Sequence, residues 1–268
     1  MTLRYTILGC GYSGGVPRIG LGWGACDPTN PRNRRRRCSL LVERRSPGGR
    51  TVVLVDTSPD LREQLLAADV DRLDAVLYTH PHADHVHGID DLRGVFLHLR
   101  RRIDVHLDEP TAREVRGRFG YCFATPPGSE YPPILNEHRI VPGQPIDVEG
   151  PGGRITAMPV PQDHGDIPSL GFRIGNLAYS ADLKDLPEAG VKLLGGLDIW
   201  IVDALRDAPH SSHFNVAEAL DWIARLKPKR AILTNLHADL DYEELRRRLP
   251  PHIEPAYDGM TIELKNSD

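Results

Sequence analysis

The 268-residue chain has little cysteine, and its four thiols, Cys10, Cys26, Cys38 and Cys122, form no Cys-x-x-Cys pair. That scatter excludes a disulfide-stapled framework and a complete cysteine zinc knuckle, leaving reduced thiols as the default. Long apolar runs are absent, and the first residues lack a charged-then-apolar pattern, so the chain reads as soluble and cytoplasmic, with no membrane partner. A large charge of one sign is missing too. The formal net charge of -4 supplies no general attraction for polyanions, so any such contact is local and nucleic acid is an open but not a favoured partner. No shift in composition marks a boundary, and a hydrophobic fraction of 40% can furnish one core, so residues 1–268 read as a single domain.

What the chain does hold is histidine, concentrated in one place. Thr79-His80-Pro81-His82-Ala83-Asp84-His85 puts three imidazoles and a carboxylate into six positions. Residues 74–79 are short, β-rich and bounded by charge, and they read as a buried strand with His80 at its carboxyl end. Pro81 biases the residue before it toward extended geometry, so His80 and His82 keep a two-residue spacing and can converge on one ion. Asp84 and His85 follow at a turn opening a helix, whose first turn favours anionic groups. Imidazole and carboxylate suit Zn²⁺ and harder ions such as Mn²⁺, and four such ligands this close exceed what one tetrahedral ion accommodates. Two divalent metal ions, zinc or manganese, are therefore expected.

The pattern His80-x-His82-x-Asp84-His85 after an apolar strand resembles the signature of the metallo-β-lactamase superfamily. The resemblance implies a His, a bridging Asp and a last His, each after a later strand. His164 follows the apolar run 155–160, Asp182 ends residues 177–182, and His237 ends residues 231–237. One ion would then be held by His80, His82 and His164 and the other by Asp84, His85 and His237, with Asp182 shared. The implied fold is α/β, a four-layer αββα sandwich of two face-to-face sheets with outer helices. Asp56 matches the first-motif aspartate and is expected to orient a ligand from behind, although a cap or turn role is equally open.

At the amino end, a strand over residues 3–8 runs into Gly9-Cys10-Gly11-Tyr12-Ser13-Gly14-Gly15-Val16-Pro17, a loop able to cradle a phosphate through Ser13, Gly14 and backbone N–H groups. That segment, with the arginine-rich stretch and Cys38-Ser39 after it, is similar to the phosphoribosyl cyclic phosphate phosphodiesterase (PhnP-like) branch. Members of that branch can cluster cysteines around a structural zinc in this loop. Only Cys26 stands here, so no third zinc is expected. Arg32 and Arg34 to Arg37 form the densest charge run; a solvated loop is the ordinary reading, and a phosphate-recognition role for Arg35 is the sharper one.

The remaining elements read as a hairpin over residues 39–43 and 51–55, a helix capped by Ser58 with Pro59 in its first turn, and helices over 185–194 and 215–226. Asp90 and Asp91 carry the same ambiguity as Asp56, and residues 121–133 form a proline-rich surface excursion. The resemblance implies hydrolysis of a small cyclic or nucleotide-like phosphodiester by a hydroxide bridging two metals, with Asp84 and His213 in the chemistry. His213, just before the 215–226 helix, would bind the phosphoryl oxygen or protonate the leaving group, with neighbouring His210 as the substitute actor or a substrate contact. Two alternatives stand beside this: a lactone or thioester hydrolase on the same scaffold, and a metal- or RNA-binding module without turnover. A homodimer is left open.

Overall fold

The structure, a computed structural model, describes residues 2–265. The first half contributes β1 (Thr2–Gly9), β2 (Ser39–Ser46), β3 (Gly49–Val55), α1 (Leu61–Ala67), β4 (Ala75–Leu77), α2 (Ala83–Val86), α3 (Leu92–Leu99), β5 (Ile103–Leu107), α4 (Glu109–Phe119) and β6 (Leu135–Arg139). The second contributes β7 (Ile146–Val148), β8 (Ile155–His164), β9 (Ile167–Ile174), β10 (Leu177–Ser180), α5 (Glu188–Leu193), β11 (Ile199–Asp203), α6 (Val216–Leu226), β12 (Arg230–Thr234), α7 (Tyr242–Arg248), β13 (Ile253–Pro255) and β14 (Thr261–Lys265). The described residues form two seven-stranded sheets, ordered β14-β1-β2-β3-β4-β5-β6 and β13-β12-β11-β10-β9-β8-β7.

Alternation along the strands explains the layering. Val53 and Val55 face the other sheet with Tyr5, Ile7, Leu40 and Val42, meeting Phe172, Ile174, Tyr179 and Ile201. Val52 and Leu54, one residue out of phase, pack instead beneath the helical layer with Leu61, Leu92 and Val115. The second sheet repeats this, with Trp200, Val202 and Leu233 against Ala219, Ile223 and Leu245. Strands buried on both faces lack a polar side, which is why they read as continuous apolar runs. The result is the expected αββα sandwich. Tyr5 carries its hydroxyl across the seam and donates to the Ile174 carbonyl at 2.7 Å, so the buried polar group is satisfied where the sheets meet.

Element ends differ from expectation where local hydrogen bonds intervene. The first helix starts at Leu61, not after Ser58; Ser58 closes a turn, its carbonyl accepting from Leu61 N at 2.9 Å and its hydroxyl from Asp60 N at 3.1 Å. Likewise α5 begins only at Glu188, because Lys184 and Asp185 are drawn out as extended backbone against Asp163. By contrast α6 has a full capping box, Asn215 accepting from Glu218 N and Glu218 from Asn215 N. Residues 121–133 do not line the metal pocket described next.

Candidate metal centre

Six strand ends converge at one edge of the sandwich. β4 delivers the histidine motif, β3 delivers Asp56, β8 ends on His164, β10 leads to Asp182, β11 ends on Asp203 and β12 leads to Asn235 and His237. Short loops after strands of a rigid sheet fix these side chains without long flexible connections.

The ligand atoms fall into two groups that share a carboxylate. Within each of His80, His82, His164 and Asp182, and Asp84, His85 and Asp182, one potential ligand atom per residue lies within 4.8 Å of the others. Asp182 Oδ1 is 3.2 Å from His85 Nε2, and Oδ2 is 3.5 Å from His164 Nε2 and 3.8 Å from His80 Nε2. Asp84 Oδ2 is 3.3 Å from His85 Nε2.

Hydrogen bonds behind the cluster turn the imidazoles. His85 Nδ1 donates to Asp56 Oδ2 at 2.7 Å, and His164 Nδ1 donates to the Ser212 carbonyl at 2.6 Å. His80 Nδ1 bonds Thr79 Oγ1 at 2.9 Å, and that hydroxyl donates onward to Asp56 Oδ2 at 2.8 Å. Each leaves Nε2 toward the shared carboxylate, the arrangement by which a partner fixes tautomer and ring orientation in metal sites. Asp56 is itself fully buried, at a φ of 63°, with Thr79 N donating to its Oδ1 at 2.8 Å. A non-glycine residue is seldom held there, and the strain sits directly behind two imidazoles. Asp56→Ala is therefore expected to weaken metal binding by about 10- to 100-fold while Asp84 and the histidines stay in place, a loss read by competition with a chelator.

Electrostatics tell the same story. Burial, with His85 beside it, holds His80 well below the usual histidine range, and burial lowers His82 and His164 as well. These are neutral imidazoles with lone pairs to give. Burial opposes a proton on His85 too, but the carboxylates of Asp182, Asp84 and Asp56 outweigh it and raise His85 well above its usual range. Three carboxylates around one imidazole thus call for a cation at that point. The buried atoms His80 Nε2, His85 Nε2 and Asp182 Oδ1 have no hydrogen-bond partner, and buried polar atoms clustered in this way are suited to ligating an ion. The donor set of imidazole and carboxylate fits a divalent metal.

A pocket of ≈ 340 Å³ opens beside the cluster, lined among others by Ser13, His82, Asp84, Asp182, His210, His213 and His237. The His237 ring packs on Tyr12 with centroids 4.2 Å apart and its Nδ1 faces Asp239 at 3.0 Å; His237 is outside the two tight groups. His210 lies against His213, rings 5.0 Å apart. His213 Nδ1 donates to Asp203 Oδ2 at 2.8 Å, and Asn235 Nδ2 donates to Asp203 Oδ1 at 3.2 Å. Although burial disfavours its charge, Asp203 and Asp182 raise His213 to about 9. Burial raises Asp203 to about 6 against the pull of His213.

Three residues with sequence-based expectations sit elsewhere. Arg35 does not line this pocket; it is 2% exposed and its guanidinium is bonded to backbone carbonyls, so the structure commits it to the fold beside the pocket. The rest of the arginine run is mostly engaged in the fold. Arg36 pairs with Asp258, Arg37 with Asp60, and Arg32 lies over Tyr242 and Tyr257. Gly14 packs under Tyr12, whose hydroxyl would lie 2.7 Å from a Cβ there, and does not line the pocket. Gly9 and Gly11 admit protein rather than phosphate, since a Cβ on Gly9 would lie 2.1 Å from the Arg37 carbonyl and one on Gly11 2.9 Å from Arg35 Cβ. Gly11-Tyr12-Ser13-Gly14-Gly15 fits the spacing of a serine-nucleophile elbow, but β1 runs into turns rather than a helix, so the required strand-turn-helix is absent. Asp90 is an exposed partner of Arg93.

Sequence reading missed Asp203, Asn235, Arg18 and Arg206. Asp203 ends an apolar strand just as Asp182 follows one, and that parallel was the available signal. Arg18 and Arg206 line the pocket, and neither has a carboxylate partner among the described residues; no motif announces them.

Residues 51–235 match the family model of the Beta-lactamase superfamily domain. The chain belongs to the metallo-β-lactamase superfamily. Among solved structures it is similar to a diphosphatase from the PhnP family, with 35% identity, a TM-score of 0.87 and 98% of each chain covered. An octanoyltransferase of Porphyromonas gingivalis is 36% identical over 263 residues, 96% of this chain and 51% of that protein. A ribonuclease Z of a Bradyrhizobium species is 44% identical over 89 residues, 32% of this chain and 27% of that one. The chain spans about half the length of the first of these curated relatives. Superfamily membership and the His/Asp cluster together point to a metal-binding site of this fold. Among the described residues, no helix is long and apolar enough to cross a membrane.

Proposed function

We propose that the chain is a phosphodiesterase dependent on two divalent metals, zinc or manganese, acting on a small cyclic or nucleotide-like phosphodiester. The observation that carries this is Asp182, a buried carboxylate common to both ligand groups, with Oδ1 unsatisfied and a carboxylate-held His213 facing it, Nε2 to Oδ2 at 3.9 Å. His80, His82 and His164 would hold one ion, Asp84, His85 and His237 the other, and Asp182 both. When bound, the ions supply Lewis-acid polarisation of the phosphoryl oxygens and a water made acidic enough to attack at neutral pH.

The chain's own groups supply the rest. Asp203 accepts from His213 Nδ1 and is itself held by Asn235 Nδ2, so Nε2 is the nitrogen His213 presents to the pocket. From there it can give a proton to the departing alkoxide, which a phosphodiester of an aliphatic alcohol requires. Arg18 and Arg206 steer an anionic substrate into the pocket mouth. The PhnP-family diphosphatase and the ribonuclease Z among the relatives support phosphoryl chemistry, and a carbonyl hydrolase with a good leaving group would have less use for the Asp203-held His213. A place in the cytoplasm and a small-molecule substrate belong to the same reading.

The test is metal-dependent turnover. A chelator should abolish hydrolysis of a cyclic phosphodiester, readdition of Zn²⁺ or Mn²⁺ should restore it, and elemental analysis of the reloaded protein should give about two ions per chain. One ion at saturation contradicts the dinuclear reading, and unchanged turnover after chelation contradicts the metal's part in it.

A further inference from the structure

Arg35 is among the largest fully buried side chains, yet no carboxylate among the described residues forms an ion pair with it. A guanidinium removed from water must be repaid with hydrogen bonds, and their targets show what it does. Nη1 donates to the His237 carbonyl at 3.1 Å, and Nη2 donates to the Leu240 carbonyl at 2.7 Å and to Asn33 Oδ1 at 3.2 Å. The two carbonyls bracket the turn between Asn235 and α7, which has no helix or strand of its own. His237 enters the metal pocket from this turn.

The fork has a rigid base. Arg35 exchanges both backbone hydrogen bonds with Val16, each at 2.9 Å. The same segment grips the turn again. Cys26 Sγ lies 3.4 Å from the carbonyls of Ala238 and Leu240, and Asn33 accepts from Tyr242 N at 2.8 Å while donating to Asp241 Oδ2 at 2.6 Å. The planar guanidinium alone spans the turn from its first to its fourth residue, a reach that the compact ammonium of lysine lacks.

We infer that Arg35 is a positioning residue: its guanidinium fixes the 237–240 turn and thereby sets where the His237 imidazole meets the second ion. This rests on the reading of His237 as a ligand of that ion. It also gives a purpose to an arginine that is buried and whose Nη atoms are bonded within the fold.

The experiment is titration of the metal-free full chain with Zn²⁺ alone, in wild type, His237→Ala, Arg35→Lys and Arg35→Met. Arg35→Lys keeps the charge and stem and serves if Arg35→Met does not fold; circular dichroism and the melting temperature of each metal-free protein are recorded alongside. The expected result is that Arg35→Lys weakens the ion that His237→Ala weakens, by about 10- to 100-fold, and leaves the other at its wild-type affinity. A lowered melting temperature with both affinities unchanged would reduce Arg35 to a structural role and overturn the inference. Equal weakening of both ions would overturn it as well. If His237→Ala itself leaves both affinities unchanged, the ligand reading fails, and the inference falls for that separate reason.

Discussion

Asp182→Ala lowers bound metal from about two ions per chain to at most one and cuts phosphodiester turnover by about 10³-fold or more, if the shared carboxylate does what its position indicates. The magnitude follows from the several kcal/mol of charge stabilisation a Lewis-acidic metal supplies, since about 4 kcal/mol is about 10³ in rate. Both oxygens of Asp182 face imidazole Nε2 atoms, Oδ1 toward His85 and Oδ2 toward His80 and His164. Removing the side chain takes a ligand from each group at once. His85 loses the first of the carboxylates that hold its proton, so the metal-free variant also has a less acidic cluster with weaker pull on any cation. Asp182→Asn separates shape from charge, because the amide fills the same space while giving up the negative charge and one ligand oxygen. Elemental analysis with single-turnover kinetics checks both variants; full metal content and rate in Asp182→Ala would remove the ligand assignment after β10.

His213→Ala carries the second large effect, and leaving-group chemistry shows what kind of effect it is. A positioned general acid contributes about 10²- to 10⁴-fold, and only where the departing oxygen is a poor leaving group. The variant should therefore lose about that factor on an alkyl phosphodiester and far less on an aryl one whose leaving group has a much lower pKa. Metal content must stay at the wild-type value, since His213 belongs to neither ligand group. Equal losses on both substrates would leave His213 only a phosphoryl-oxygen contact, and unchanged rates would remove it. Asp203→Asn is the companion: it keeps the side chain's volume but removes the charge and one of the two oxygens that accept from Leu183 N, His213 Nδ1 and Asn235 Nδ2, weakening the partner that charges and orients the ring.

How far the sequence reached depends on whether a residue's task is written locally. The motif from His80 to His85 is compact because one strand end and one helical turn can present four potential ligands together, and the structure brings the expected residues other than His237 into two groups that could each hold an ion. The sandwich was legible for a similar reason: strands such as Val52 to Val55 are apolar at every position because both faces are covered. Tasks defined by contacts distant in sequence were not legible. Arg35 bonds to carbonyls more than 200 positions away, so its neighbours in the run said only that charge was dense. The glycines of the first loop looked ready for a phosphate, but Gly9 and Gly11 admit the backbone of residues 35–37. Asp203 was missed because a lone aspartate after an apolar strand is ordinary until His213, ten residues on, folds back to it. The Ser58 cap was displaced by a tighter turn of the kind that serine side chains promote in competition with the helix.

Phosphoryl rather than carbonyl chemistry is the central claim, and one comparison tests it most directly. On metal-loaded protein, kcat/KM is measured for a cyclic phosphodiester and for a lactone of similar size under the same buffer, metal and pH. The expected result is a preference of several orders of magnitude for the phosphodiester, because the pocket-lining arginines, Arg18 and Arg206, attract an anionic substrate and the lactone is neutral. Equal or faster hydrolysis of the lactone would contradict it.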